Sequence, residues 1–200
     1  MTTENEPDFE RLALIASITK PIIVAAGAAS LLAALVSALW LNGQWPDYSI
    51  IAWGLGSFEF IVLGSIALLV ASYIAVSFWL YRAHTNLLAS EMPGAITTGG
   101  WAIAWYAIPI ANLFKPFQSM KELWTGSVDG MIDANETASG LLWAWWLTWL
   151  FGSLGGFGAD YGWLDVAVFI STAISAGLLF IIVDRITKAQ PSMSVTSTFE

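Results

Sequence analysis

Long apolar runs alternate with short junctions along this chain, and one threading through a bilayer puts every Lys and Arg on the same side. Arg11, Lys20, Arg82, Lys115, Lys121, Arg185 and Lys188 flank the runs, whereas residues 41–57 and 152–162 carry no basic side chain. Translocating Lys or Arg is disfavoured, so a bias of this kind fixes the direction in which each helix crosses. It describes where the chain lives and how it is threaded. It does not describe an activity.

Composition agrees with a bilayer as the solvent. Of the 200 residues, 57% are hydrophobic and 11% are charged, and the mean hydropathy is +0.69. These values are too apolar for an ordinary soluble domain, and the length suits one domain of four or five membrane helices. Fifteen acids against seven bases give a net charge of −8, which argues against nucleic acid as a partner because that needs a basic footprint. Cysteine is absent, which excludes disulfides, thiolate nucleophiles and Cys-ligated metal. The single histidine, His84, gives no basis for a His-built metal or haem site, so no cofactor is expected.

The expected fold is all-α. Residues 1–20 form an acidic tail followed by a short interfacial helix, in which Phe9, Leu12, Ala13 and Ala16 share a face. Crossings are expected over 21–41, 58–80, 139–154 and 163–183, within an integral membrane domain spanning 21–188. The first is read as an uncleaved anchor with Pro21 in its first turn, because it is longer than a signal core of roughly 7–15 residues. Trp40, Trp45 and Tyr48 suit an aromatic belt at the far interface, and the Gly-rich stretch 152–158 a hairpin. The tail 189–200 reads as disordered. Small residues spaced by four, such as Ala26, Ser30 and Ala34, or Ala67, Ala71 and Ala75, suit close helix packing in lipid. They leave the oligomeric state open.

The segment 99–124 is too short and too broken for an ordinary crossing. Its apolar part, 101–114, would span roughly 21 Å as a helix against a hydrocarbon core of about 30 Å, and Pro109 interrupts it. A full crossing would make five spans and split the basic residues four to three. A re-entrant or interfacial segment leaves four spans with all seven on one side. The four-span reading, with both termini cytoplasmic, is therefore preferred over the five-span alternative.

The run Trp79-Leu-Tyr-Arg82-Ala-His-Thr-Asn86-Leu, the stretch from Gly100 through Trp105, Pro109-Ile-Ala-Asn112-Leu-Phe-Lys115-Pro116 to Trp124, and Trp145-Trp146-Leu-Thr-Trp149-Leu form a recognisable set. Over roughly residues 60 to 185 the chain resembles the bacterial membrane family catalogued as domain of unknown function 4328. The resemblance implies a bacterial inner-membrane protein. It carries no activity, because none is assigned to the family.

The candidate polar cluster is Arg82, Asn86, Pro109, Asn112, Lys115 and Glu122. Arg82 and Asn86 share a helix face, and Asn112, Lys115, Ser119 and Glu122 form a stripe. Arg82 is expected to pair with Glu122, while Asn86 and Asn112 bond the backbone freed at Pro109, since non-helical backbone at membrane depth must find partners. His84 is expected to face solvent. Glu59 and Asp165 are candidate carboxylates at the outer interface, Asp165 favouring the start of the last helix by its charge. Expected partners are membrane lipids and other membrane or cytoplasmic proteins. The leading functional expectation is a non-enzymatic partner-binding or assembly role through the cytoplasmic face. The alternative is a small-solute transporter or channel-like protein using the break at Pro109–Asn112.

Overall fold

The structure, a computed structural model, describes residues 6–44, 57–130, 139–154 and 162–196. Trp45, Tyr48 and most of the expected hairpin at 152–158 lie outside these residues. All regular structure among the described residues is helical: α1 (Phe9–Leu41), α2 (Ser57–Ala89), α3 (Gly99–Ala104), α4 (Lys115–Trp124), α5 (Gly140–Leu154) and α6 (Trp163–Thr196). Two 3-10 turns, Trp105–Ala107 and Ala111–Leu113, separate α3 from α4, and a π turn, Thr125–Asp129, follows α4. Among the described residues, three helices are long and apolar enough to cross a membrane: Phe9–Leu41, Glu59–Ala89 and Trp163–Met193. With 15 residues, α5 is shorter.

The chain divides into two compact units. The first comprises Met1–Lys20, Ile74–Trp143 and Ile181–Glu200; the second comprises Pro21–Tyr73 and Ala144–Phe180. The interfacial helix and first crossing expected on either side of Pro21 are one continuous helix, and α1 passes from the first unit to the second at that proline. Likewise α6 runs beyond the expected 183 to Thr196, through residues expected to be unstructured. The reason is burial: Ile182, Ile186, Gln190 and Met193 fall on one face of its extension and sit in the core of the first unit.

The second unit packs many small residues inside, beside Ile23, Val36, Trp145 and Trp146, and displays many large ones. Ala26, Ser30, Ala33, Ala34 and Ser37 of α1 are buried, as are Ser171 and Ser175 of α6, whereas Leu31, Leu35, Leu63, Val70, Phe151 and Ile174 are exposed. A water-soluble core shows the reverse, because water drives large apolar groups inward. In lipid that force is missing, and close contact between small residues holds helices together. Gly27 approaches Ala176 so closely that a Cβ would lie 3.1 Å from the alanine Cβ, and Gly152 would meet Thr172 Oγ1 at 2.7 Å. Ser171 Oγ donates to the Thr148 carbonyl at 2.9 Å. On the part of α2 that belongs to this unit, Ser65 and Ser72 are buried. The expected row of Ala67 and Ala71 is not buried.

The first unit is built differently. Leu12, Trp79, Leu87, Met120, Leu123, Leu142, Ile182 and Ile186 are fully buried. Helix α4 contributes Pro116, Ser119, Met120, Leu123 and Trp124 at the i, i+3, i+4, i+7 spacing of an amphipathic helix. All seven basic residues of the chain belong to this unit.

Candidate functional site

Of the polar residues singled out on α2, Arg82 and Asn86 belong to the first unit. Asn86 is fully buried. Its Oδ1 accepts from the Asp8 backbone N–H at 3.0 Å, and its Nδ2 donates to the Asp8 carbonyl at 3.2 Å. The second Nδ2 hydrogen serves Gln190 Oε1 at 3.3 Å. Gln190 Nε2 in turn donates to the Ala83 carbonyl at 3.0 Å and to Ser127 Oγ at 3.2 Å. One amide thus reads the backbone of the N-terminal segment as a neighbouring strand would. It is joined through Gln190 to α6 and the π turn. A buried network of this kind stabilises only when its members are all satisfied, and each polar atom of the Asn86 side chain has a partner.

Asp8 closes the same corner. Its Oδ1 caps α1 by accepting from Arg11 N–H at 2.9 Å, and its Oδ2 lies 3.4 Å from an Arg82 guanidinium nitrogen. Arg82 therefore pairs with Asp8 rather than Glu122. The acid was within reach only once α1 extended back to Phe9, which brought the N-terminal segment to the α2 face.

Glu122 is engaged elsewhere. Its Oε1 accepts from the backbone N–H groups of Ile96 and Thr97, each at 2.9 Å, and its Oε2 accepts from Thr97 Oγ1 at 2.6 Å. It thereby holds the connection between α2 and α3, where Glu91 adopts φ +51° and Gly94 φ +87°. His84, expected to face solvent, is fully buried, and its Nε2 lies 2.8 Å from Ser119 Oγ on α4. Trp79 Nε1 donates to Thr187 Oγ1 at 3.0 Å, and Lys20 and Lys188 both pair with Asp184, at 2.9 and 2.6 Å.

The break at Pro109 is present. Ile108 is extended, with φ −99° and ψ 109°, as the residue before a proline favours. Asn86 plays no part there. Asn112 N–H donates to the Ile108 carbonyl at 2.7 Å, but its side-chain Oδ1 is buried without a hydrogen bond among the described residues. The Lys115 ammonium stands 5.5 Å from the Trp105 ring centroid and 6.0 Å from that of Phe114.

The outer carboxylates are not brought together by any described hydrogen bond. Asp165 Oδ2 accepts from Gly162 N–H at 2.9 Å in the first turn of α6, as its charge and place suggest. Glu59 lies in the first turn of α2, and its Oε2 is buried without a partner among the described residues. No group of three or more metal-ligating side chains occurs among the described residues.

The residues that sequence reasoning missed are Asp8, Ser127 and Gln190. They stand in segments that composition assigns to tails and loops, and only their burial reveals them. No curated protein and no solved structure matches the chain. The family model described as "Domain of unknown function (DUF4328)" matches residues 57–188, a stretch that includes Asn86, Ser119, Glu122 and Ser127 and ends just short of Gln190. The chain is thus a member of the DUF4328 family.

Proposed function

We propose that this chain is a multi-pass protein of the bacterial inner membrane with a non-enzymatic role in binding or assembling a protein partner through its cytoplasmic face. The first unit would be that face. The chain leaves it at Lys20, returns at Ile74, leaves again at Trp143 and returns at Ile181, which suits four crossings with both termini on one side. The location of all seven basic residues in this unit favours the same threading.

The observation that carries the functional reading is the Asp8–Asn86–Gln190–Ser127 network. Several polar groups that chemistry would recruit are engaged in holding the first unit together: His84 Nε2 on Ser119, Glu122 on Thr97, Arg82 on Asp8. The product is a pre-organised helical platform, which suits recognition because little ordering is left for binding to supply. The test is a photoreactive residue in place of Gln118, which is exposed on α4, in the full chain in native membranes. A discrete protein adduct of reproducible mass from position 118, missing when the same residue replaces Leu32, is the expected result. Lipid adducts alone from both positions would contradict it.

A second reading, passage of a small solute, draws on the unpartnered Asn112 Oδ1 beside the Pro109 break. It predicts proteoliposome flux that Asn112→Leu abolishes.

A further inference from the structure

The stretch from Ile96 to Phe114, which includes α3, exposes the wrong surface for water. Ile96 is 82% exposed and Ile110 75%, and Trp101, Ile108, Leu113 and Phe114 are exposed as well. Six large apolar side chains displayed within these nineteen residues make an apolar surface that soluble proteins rarely carry without an occupant. The depth of this stretch is fixed from within the first unit. Gly99, which opens α3, lies against the α2 backbone at Tyr81, so close that a Cβ would sit 2.5 Å from the Tyr81 carbonyl oxygen. Tyr81 ends an exposed apolar row on α2 formed with Ile74 and Phe78, spaced by four and three as on one helix face. The start of α3 therefore sits beside the end of that exposed row.

A boundary then falls at Phe114 and Lys115. From Trp101 to Phe114 the exposed side chains are apolar. After it, α4 buries its apolar face and exposes Gln118. Lys115 stands at the junction with its ammonium over the Trp105 and Phe114 rings, and Trp105 stacks on Trp101 with centroids 4.7 Å apart. A cation at an apolar–polar edge, flanked by tryptophans, is what the phosphate level of a leaflet selects: the ring edges sit among headgroups and the ammonium meets an anion.

We infer that residues 101–114 are a wedge seated in the headgroup region of one leaflet, and that Lys115 holds the phosphate of an anionic glycerophospholipid against Trp105 and Phe114. The wedge enters and leaves by the same face, which is how an amphipathic segment too short to span is accommodated. This site is separate from the protein-binding role proposed above, and its test uses no protein partner.

The full chain, which has no native cysteine, is placed in nanodiscs of phosphatidylglycerol and phosphatidylcholine with a spin label at Ile110→Cys or Gln118→Cys. The label at 110 is expected to collide more with oxygen than with a water-soluble nickel chelate, and the label at 118 the reverse. Nickel access at 110 equal to that at 118, or dipolar broadening from a second copy across the patch, would overturn the wedge. For the lipid, native mass spectrometry is expected to show about fivefold less retained phosphatidylglycerol in Lys115→Gln. Lys115→Arg and Lys188→Gln, the latter altering a lysine paired with Asp184, are expected to retain it. Equal loss in Lys115→Gln and Lys188→Gln would overturn the phosphate contact, with thermal unfolding confirming that each variant is folded.

Discussion

Asn86 is the residue on which the first unit turns, because one fully buried side chain serves three hydrogen bonds. Replacing it by Ala strands the Asp8 N–H and the Gln190 carbonyl, and a stranded buried group costs about 1–3 kcal/mol. Thermal or denaturant unfolding in detergent is expected to show that loss for Asn86→Ala. Asn86→Ala and Gln190→Ala together are expected to cost less than their sum by at least about 0.5 kcal/mol, since they share a bond. Neighbouring glycines supply a sharper contrast. Gly99→Ala drives a methyl into the Tyr81 backbone, which has no side-chain freedom to yield, and is expected to destabilise by about 1–3 kcal/mol. Gly100→Ala meets nothing within 4 Å and is expected to be neutral or mildly stabilising in the same unfolding measurement.

At the scale of elements, the long helices were legible and their ends were not. Apolar runs of crossing length announce α1, α2 and α6 directly. Lys20-Pro21, by contrast, reads as a start signal and proves to lie inside a helix, because burial of Leu12 and Ala16 continues the helix on its N-terminal side. The same holds for Gln190 and Met193, whose burial draws α6 past its apolar run. The break at Pro109 was legible because proline constrains the residue before it whatever the tertiary context. The partners of Arg82 and Glu122 were not, since both choices depend on the path of segments far away in sequence. Glu122 illustrates the consequence. Through it α4 holds the α2–α3 connection at two backbone amides, and hydrogen bonds to a carboxylate contribute more than those to a neutral amide. Glu122→Gln is expected to speed hydrogen exchange at Ile96 and Thr97 by about tenfold while leaving α1 amides unchanged. Uniform acceleration over all helices, or none, would show that the contact does not hold the connection.

For the molecule as a whole, two solvents account for two kinds of interior. The second unit hides serine, alanine and glycine beside Ile23, Val36, Trp145 and Trp146 and shows leucine and phenylalanine; the first hides Trp79, leucine and the Asn86 network. The sorting of basic residues, visible in the sequence, coincides with this division without exception. The central claim is that the first unit, from α1's start through α4 to α6's end, stays on the cytoplasmic side. It is tested most directly by labelling single cysteines in intact cells with an impermeant maleimide, using Gln44→Cys and Gln118→Cys, both at exposed positions. The account predicts that Gln44→Cys reacts from the periplasm and that Gln118→Cys reacts only after the membrane is opened. Labelling of Gln118→Cys in sealed cells would contradict it.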